Sequence, residues 1–441
     1  MMNHVNRHAR GGHSRGALFA AALALLPLAG CNDLLEVDDP DVIRPDQLQG
    51  VDAIPTRVAG AVLDFQIAFN GNFNNSTVVA QGMFTDEYVN SETFSDRIEV
   101  DRRNIDRSDN QIVLNVFSGL HVARVSSRAA SAAIEEFDPG NADLAYMRSL
   151  EGFSEILLGE TFCAGVPASE LQGNEIAYGE PRTAQKVFED AVVAFDKALA
   201  ANASFHTARV GKARALLDLG RFSDAASVAS AVPTAFAMDV LHSSTTPAQE
   251  NGLWNLSTNG RVSVAETDGG NGVPFRSLDD PRVPWIDTGD TGFDSQTRLY
   301  LQLVSPEIDS PVPLATGIEA RLIEAEGALE AGDRAAFFAL HNAARATIGL
   351  APLAETGQNQ ATLEDLHFRE RALWLYSTAH RLGDLRRLVR QYGRTAGSVF
   401  PSGDYLKGGT FGSDLNFPIP VEEDNNPNTK ALPSGCIDRN A

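Results

Sequence analysis

The chain has 441 residues, of which 43% are hydrophobic and 21% charged, so it can bury a large core and has the composition of a folded protein. Its formal net charge is −22 at pH 7. A surface this acidic repels phosphate backbones, which argues against a nucleic-acid partner. The only long apolar run lies at the N-terminus, so no membrane-spanning helix is expected elsewhere.

The N-terminus has the three parts of an export signal. Residues 1–30 contain basic positions, a short apolar stretch at 17–26 and small residues just before Cys31. The segment 28–31, Leu-Ala-Gly-Cys, is similar to the lipobox of bacterial lipoproteins, in which the cysteine sulfur takes a diacylglycerol. We therefore expect removal of residues 1–30 and lipidation of Cys31, whose acyl chains would hold the protein on a membrane. A plain secreted protein is the alternative.

Two further cysteines, Cys163 and Cys436, remain after the signal. An exported chain meets an oxidising compartment, where an even number of cysteines favours a disulfide. We predict a bridge between them that ties the C-terminal tail to the helical body, with two free thiols as the alternative.

Apolar residues recur at three- and four-residue spacing along much of the chain, which indicates amphipathic helices. Helices are predicted at 56–69 and 110–136, the second of which ends before Asp138-Pro139-Gly140.

Paired helices with small residues at their crossing points follow, in about 143–232 and 317–391. The predicted parts are a helix at 143–159, an insertion at 163–182, a helix containing Ala184, Phe188 and Ala191, a pair within 208–232, a pair that starts at Glu319, turns at 331–333 and resumes at 335–347, and one helix at 363–391. The spacing favours a mainly α fold, a tetratricopeptide-like array in which each pair buries a face on its neighbour. Unrelated helical hairpins are the alternative.

Two loop-rich segments, 242–316 and 393–441, contain many Gly, Pro, Asp, Ser and Thr residues. Loops this long in a compact protein are usually functional, so we expect a ligand there. Trp254 and Trp285 lie in the first segment outside any helical apolar stripe, and aromatic faces suit the apolar faces of sugar rings. The alternative is that both tryptophans anchor loops. The candidate ligand contacts are Trp254, Trp285, Phe73, Tyr300, Asn271 and Arg276, with Tyr405 and Phe411 as weaker candidates.

The C-terminal third resembles SusD/RagB lipoproteins. In the segment 369–387 the positions that match the signature helix of this family are Glu370, Arg371, Leu375, His380, Arg381, Asp384, Leu385 and Arg387. Asp280-Pro281-Arg282, the segment 416–420 (Asn-Phe-Pro-Ile-Pro) and the segment 425–428 (Asn-Asn-Pro-Asn) resemble further family motifs. Trp374, Thr378 and Ala379 depart from the signature, which makes this a distant member. We expect the charged residues of this helix to orient it within the fold.

The resemblance implies one SusD-like domain over 31–441 that binds a nutrient, an oligosaccharide or a peptide, without changing it. It would act at the outer membrane, facing the cell surface, as the lid of a TonB-dependent, SusC-like barrel. The resemblance implies no catalytic residue, and we expect no cofactor and no metal. Two alternatives remain open. One is a tetratricopeptide adaptor lipoprotein in envelope assembly, and the other is a secreted hydrolase, for which the chain lacks the usual motifs.

Overall fold

The computed structural model describes residues 49–440 except 72–75, 173–174, 356, 358, 431 and 433–434. Cys31 and Phe73 therefore lie outside the described residues. The α-helices are α1 (Ile54–Asn70), α2 (Thr77–Phe84), α3 (Ser95–Arg102), α4 (Gln111–Phe137), α5 (Leu144–Thr161), α6 (Ala184–Ala201), α7 (His206–Asp218), α8 (Phe222–Ala229), α9 (Gly252–Thr258), α10 (Gly317–Glu330), α11 (Arg334–Ala346), α12 (Gln360–Trp374), α13 (Arg381–Arg390) and α14 (Ala396–Val399). The strands are β1 (Tyr88–Asn90), β2 (Glu170–Gln172), β3 (Glu175–Ala177), β4 (Ala237–Val240), β5 (Val262–Val264), β6 (Trp285–Thr291), β7 (Arg298–Gln302) and β8 (Val312–Thr316).

Helix α4 is the longest helix of the described part, and its start is set by a side-chain cap. The Asn110 Oδ1 atom accepts hydrogen bonds from the backbone N–H groups of Ile112 and Val113, both at 3.1 Å, which satisfies donors that a helix leaves free at its N-terminus. Val113, Val116 and Leu120 follow at helical spacing and are fully buried. The helix packs against α1 and α5.

The paired helices expected from the sequence are present. Helix α5 packs on α6, α7 on α8 and α10 on α11, and α10 also packs on α8. Small residues allow the close crossings: a Cβ atom added to Gly211 would lie 2.2 Å from the Phe195 ring, and one added to Gly152 would lie 2.7 Å from it. The Phe195 ring therefore fills the space where α5, α6 and α7 meet. The fold is mainly α and tetratricopeptide-like, as predicted.

The strands form four two-stranded antiparallel sheets within the described residues: β1–β5, β2–β3, β4–β8 and β6–β7. The insertion between α5 and α6 carries the β2–β3 hairpin. The β6–β7 hairpin belongs to the first loop-rich segment and pairs Trp285 with Gln302 and Asp287 with Tyr300.

The predicted single helix at 363–391 is wrong, because the chain forms two helices there, α12 and α13. Ser377 and Ala379, between them, have left-handed φ angles of 61° and 56°, which non-glycine residues adopt at a cost. The break lets the Ser377 N–H donate to Glu87 Oε1 at 3.0 Å. The buried carboxyl group of Glu87 thus gains a donor that a continuous helix would have used within its own backbone.

The interpretation of Trp254 as a loop residue is also wrong. Trp254 lies in the short helix α9, where its backbone N–H donates to the side chain of the N-cap residue Asn251 at 2.9 Å.

The C-terminal tail is tied to the end of α5. Cys163 and Cys436 form a disulfide, which is the pairing that the sequence predicts. Backbone hydrogen bonds support it, from the Phe417 N–H to Thr161 O (2.8 Å) and from the Ile437 N–H to Ala164 O (2.7 Å).

Among the described helices, none combines the length and apolarity that a bilayer span requires.

Candidate functional site

The two loop-rich segments meet and line an open pocket of about 410 Å³. Its lining residues are Thr267, Asp268, Gly269, Gly270, Ser402, Gly403, Asp404, Leu406 and Phe411. The approach of the two segments depends on Gly269, which has a φ of 62° and whose added Cβ would lie 2.1 Å from the Ser402 nitrogen. Only glycine fits this position without displacing the neighbouring backbone.

Carboxylates and one aromatic ring give the pocket its chemistry. Burial is the main cause that raises the pKa of Asp268 to about 6, and the charge of Asp86 adds to it. The buried Asp268 Oδ2 atom accepts no hydrogen bond from the described residues. Behind the pocket, Tyr405 donates to Asp101 Oδ2 at 2.6 Å, and its ring packs edge-on against Phe411. The pocket therefore offers acceptors for hydroxyl groups beside an apolar face.

Two exposed phenylalanines form a platform next to this pocket. The rings of Phe94 and Phe293 are stacked with centroids 6.5 Å apart and planes 28° apart, and these residues are 51% and 52% exposed. The guanidinium of Arg261 lies 3.7 Å from the Phe293 ring centroid and 5.3 Å from that of Phe94. We call Phe94, Phe293 and Arg261 the aromatic platform.

Buried and backbone contacts hold the platform in place. Arg261 donates to Glu92 Oε2 at 2.7 Å, and Glu92 is fully buried. The Phe293 N–H donates to Gly260 O at 2.8 Å. Since these supports need no ligand, the rings are in position before anything binds.

Lys407 connects the platform to the pocket. Its ammonium group donates to Glu92 O at 2.6 Å and pairs with Asp294 Oδ2 at 2.5 Å. Glu92 and Asp294 lie next to the platform in sequence, and Leu406, the neighbour of Lys407, lines the pocket. The platform and the pocket therefore adjoin.

The structure brings three of the predicted ligand contacts together. The rings of Trp285 and Tyr300 meet edge to face at 5.6 Å on the β6–β7 hairpin, and the Arg276 guanidinium lies 3.7 Å from the Tyr300 ring centroid. All three are half-buried. They form a packed cluster that presents part of its surface to solvent.

The other predicted contacts are not part of this cluster. The Asn271 side-chain amide donates to Gly397 O (3.0 Å) and Phe400 O (2.9 Å), so it joins the two loop-rich segments beside the pocket. Trp254 is half-buried on α9. Phe73 lies outside the described residues.

Sequence reasoning missed the aromatic platform. A signal was present at Phe293, because an aromatic residue between Thr-Gly and Asp-Ser lies in a turn and cannot be a core position of a helix or strand. Phe94 carries no such signal, since it comes directly before a helix.

Among the described residues, no group of three or more His, Cys, Asp or Glu side chains could hold a metal ion. The site as a whole is suited to binding, with exposed rings, carboxylates and hydroxyls on preformed loops.

No family model matches the chain, and no curated protein matches it. Solved structures do. A SusD superfamily protein from Parabacteroides distasonis matches with a TM-score of 0.65 at 13% identity, over 86% of this chain and 98% of that one. A SusD/RagB family protein from Bacteroides thetaiotaomicron matches with a TM-score of 0.62 at 13% identity, over 86% and 96%.

A third solved structure is described as a laminarin-binding SusD-like protein. It matches with a TM-score of 0.55 at 14% identity, over 86% of this chain and 98% of that one. The similarity to all three structures extends over most of both chains. The chain therefore has the SusD fold, and the resemblance to SusD/RagB proteins seen in its sequence is confirmed at the level of the fold.

Proposed function

We propose that this chain is a non-catalytic glycan-binding lipoprotein, in which the aromatic platform and the adjoining pocket hold an oligosaccharide. The observation that carries the proposal is the exposed, stacked Phe94–Phe293 pair. Large aromatic rings are seldom left half exposed side by side without a partner. The laminarin-binding protein with the same fold supports the same class of ligand.

The chemistry of the platform suits a sugar ring. One face of a pyranose carries C–H groups, which are apolar and slightly positive and therefore pack on the negative face of an aromatic ring. The hydroxyl groups at the edge of the sugar need acceptors and donors. The carboxylates of Asp268 and Asp404 and the hydroxyls of Thr267 and Ser402 in the adjoining pocket supply them.

The test is glycan binding by platform variants. We expect one of laminarin, starch, xylan and mannan to bind the purified protein in isothermal titration calorimetry. Phe94→Ala and Phe293→Ala should each weaken that binding by about 3- to 10-fold, because each removes one stacking surface. The matched control is Phe137→Ala, because Phe137 is the last residue of α4 and is 42% exposed. This variant should leave the glycan affinity unchanged. Unchanged affinity in both platform variants would overturn the proposed site.

The Trp285–Tyr300–Arg276 cluster is the second proposed contact surface. Trp285→Ala should lower affinity for a long oligosaccharide more than for a disaccharide, since only a long chain reaches beyond the platform. If Trp254→Ala and Trp285→Ala both leave the affinity unchanged, the glycan is confined to the platform and the pocket.

Anchoring and delivery complete the proposal. We propose that Cys31 is lipidated at the outer membrane and that the protein delivers its glycan to a SusC-like, TonB-dependent barrel. Cys31→Ser should move the protein from the membrane fraction to the soluble fraction.

Affinity purification from the native cell should recover the barrel, whereas an envelope-assembly adaptor would recover assembly factors. Incubation with the bound glycan should release no reducing sugar, whereas a hydrolase would release it.

A further inference from the structure

A second concave surface lies on α4, in a different part of the molecule from the aromatic platform. It is a groove of about 750 Å³ with three walls: the outer face of α4, the β2–β3 hairpin of the insertion, and the C-terminal segment 420–426. We call it the α4 groove. Its apolar surface comes from Leu114, Phe117, Val122, Val125, Ile176 and Tyr178.

Polar contacts between its walls give the α4 groove a fixed shape. An Arg124 Nη2 atom on α4 donates to Ser169 O at 2.5 Å, which holds the hairpin to the helix. Asn426 and Asn428 donate from their side-chain amides to Gly179 O (3.1 Å) and Tyr178 O (3.2 Å), which hold the C-terminal segment to the hairpin. The Asn-Asn-Pro-Asn segment singled out in the sequence therefore builds a wall of this groove.

The groove leaves apolar side chains in water. Val122 is 52% exposed, Ile176 55% and Tyr178 45%. Burial holds the pKa of His121, which also lines the groove, well below its ordinary value, so this ring adds no charge. The exposed surface of the groove is mainly apolar, so it suits apolar side chains better than a glycan, whose hydroxyl groups would find few partners. Covering it with apolar side chains releases water and is favourable.

The acidic residues at the rim of the α4 groove differ in whether a basic side chain balances their charge. On the hairpin, Glu170 pairs with Arg128 and lies 3.8 Å from Arg124, so its charge is balanced. On the C-terminal wall, Glu422 and Glu423 have no basic partner among the described residues. Burial raises the pKa of Glu423, so a cation placed beside it would stabilise its ionised form. One rim of the groove is therefore acidic, in a chain whose net charge is already −22.

We propose that the α4 groove docks a short apolar segment of a partner polypeptide, with a lysine or arginine of that segment facing Glu422 and Glu423. The apolar side chains would cover Val122, Ile176 and Tyr178. The acidic rim selects against an anionic lipid or an acidic peptide. The proposal does not depend on glycan binding, since no residue of the groove belongs to the platform or its pocket.

The test uses capped, fluorophore-labelled hexapeptides and fluorescence anisotropy with the purified full chain. The probe alternates leucine with lysine, and two matched probes replace lysine by glutamate or by serine. We expect the lysine probe to bind, and the glutamate probe to bind at least about tenfold more weakly. The double variant Val122→Ser/Ile176→Ser should bind the lysine probe at least about fivefold more weakly than the unsubstituted protein does. Val193→Ser, at a site on α6 that is 51% exposed, is the matched control and should have no effect.

The double variant Glu422→Gln/Glu423→Gln should bind the lysine probe at least about threefold more weakly, and its affinity for the serine probe should not change. Circular dichroism and urea unfolding establish that each variant is folded, and every groove variant should keep its glycan affinity. The proposal is overturned if the lysine probe does not bind below about 1 mM, if it binds no better than the glutamate probe, or if the groove variants bind like the control. Binding of palmitate that is lost in the Val122/Ile176 variant, without binding of the peptide, would show a lipid site instead.

Discussion

Individual charged residues of the signature helix act across the fold. Arg381 donates to both oxygens of Asp86, at 2.6 and 2.7 Å, and Asp86 Oδ2 also accepts the Val273 N–H at 2.8 Å. Arg371, in turn, donates to Asp384 at 2.8 Å. One buried arginine thus holds the end of α2, a loop of the first loop-rich segment and the start of α13 together. The expected orienting role of these charges has its physical basis in such contacts.

Removal of the Arg381 charge should lower the stability of the folded protein strongly. We expect Arg381→Met to lower the free energy of unfolding by about 3–5 kcal/mol, because Asp86 is left as an uncompensated buried charge. Arg221→Met removes an ion pair whose side chains are both 55% exposed and should cost no more than about 1 kcal/mol. Urea unfolding measures both. A similar cost for the two variants would contradict the assigned role of Arg381.

Glu87 should make the stability fall as the pH rises from about 4.5 to about 8. Burial raises its pKa from 4.5 to about 8, so the folded state binds a proton that the unfolded state releases. The resulting stabilisation is complete below pH 4.5 and is lost as the pH rises through 8. Between pH 7 and 9 the free energy of unfolding of the protein should therefore fall by about 1 kcal/mol more than that of the Glu87→Gln variant. Glu136→Gln, an exposed control, should follow the unsubstituted protein, and equal losses in all three would refute this assignment.

At the scale of elements, the helices were predictable and one break was not. Helices α1, α4 and α5 start and end within two residues of the predicted bounds, because their apolar spacing and caps are local features. The break between α12 and α13 occurs at Ser377 and Ala379, neither of which is a typical helix breaker. At this break the Ser377 N–H donates to the buried carboxyl group of Glu87, which is far away in sequence. No periodicity within 363–391 carries that information.

The disulfide should stabilise the C-terminal element. Its cysteines are 273 positions apart, so the bond closes a long loop of the unfolded chain and should contribute about 2–5 kcal/mol. Cys163→Ser with Cys436→Ser should lower the urea midpoint accordingly. It should also speed proteolysis of residues 432–441 before that of the helices. Equal midpoints for the oxidised protein and the double variant would contradict this expectation.

At the scale of the whole molecule, the helical pairs form the scaffold, and the loop-rich segments carry the proposed binding face. The long loops are held by backbone and side-chain contacts to α2, α3 and α13, so their aromatic groups are positioned without being part of the core. The net charge of −22 is compatible with both proposals, a neutral glycan on the platform and a cationic segment in the α4 groove.

Salt should separate these two ligand classes. A neutral glycan makes no long-range charge interaction, so its affinity should change by less than about twofold between 50 and 500 mM NaCl. Binding of the lysine peptide should weaken over the same range, because screening reduces its attraction to Glu422 and Glu423. Titrations at the two salt concentrations measure both. A strongly salt-dependent glycan affinity would indicate a charged ligand.

The sequence by itself determined the helical pairs, the likeness to SusD/RagB proteins and a cysteine pairing that the structure also forms, because these depend on local periodicity, on short motifs and on a small number of thiols. The tertiary structure alone decided which residues meet. Phe94 and Phe293 come from distant parts of the chain and stack only because Gly260, Glu92 and Lys407 bring their loops together. Contacts between remote residues leave no mark in local spacing, so the platform, the pocket and the α4 groove became visible only in the folded chain.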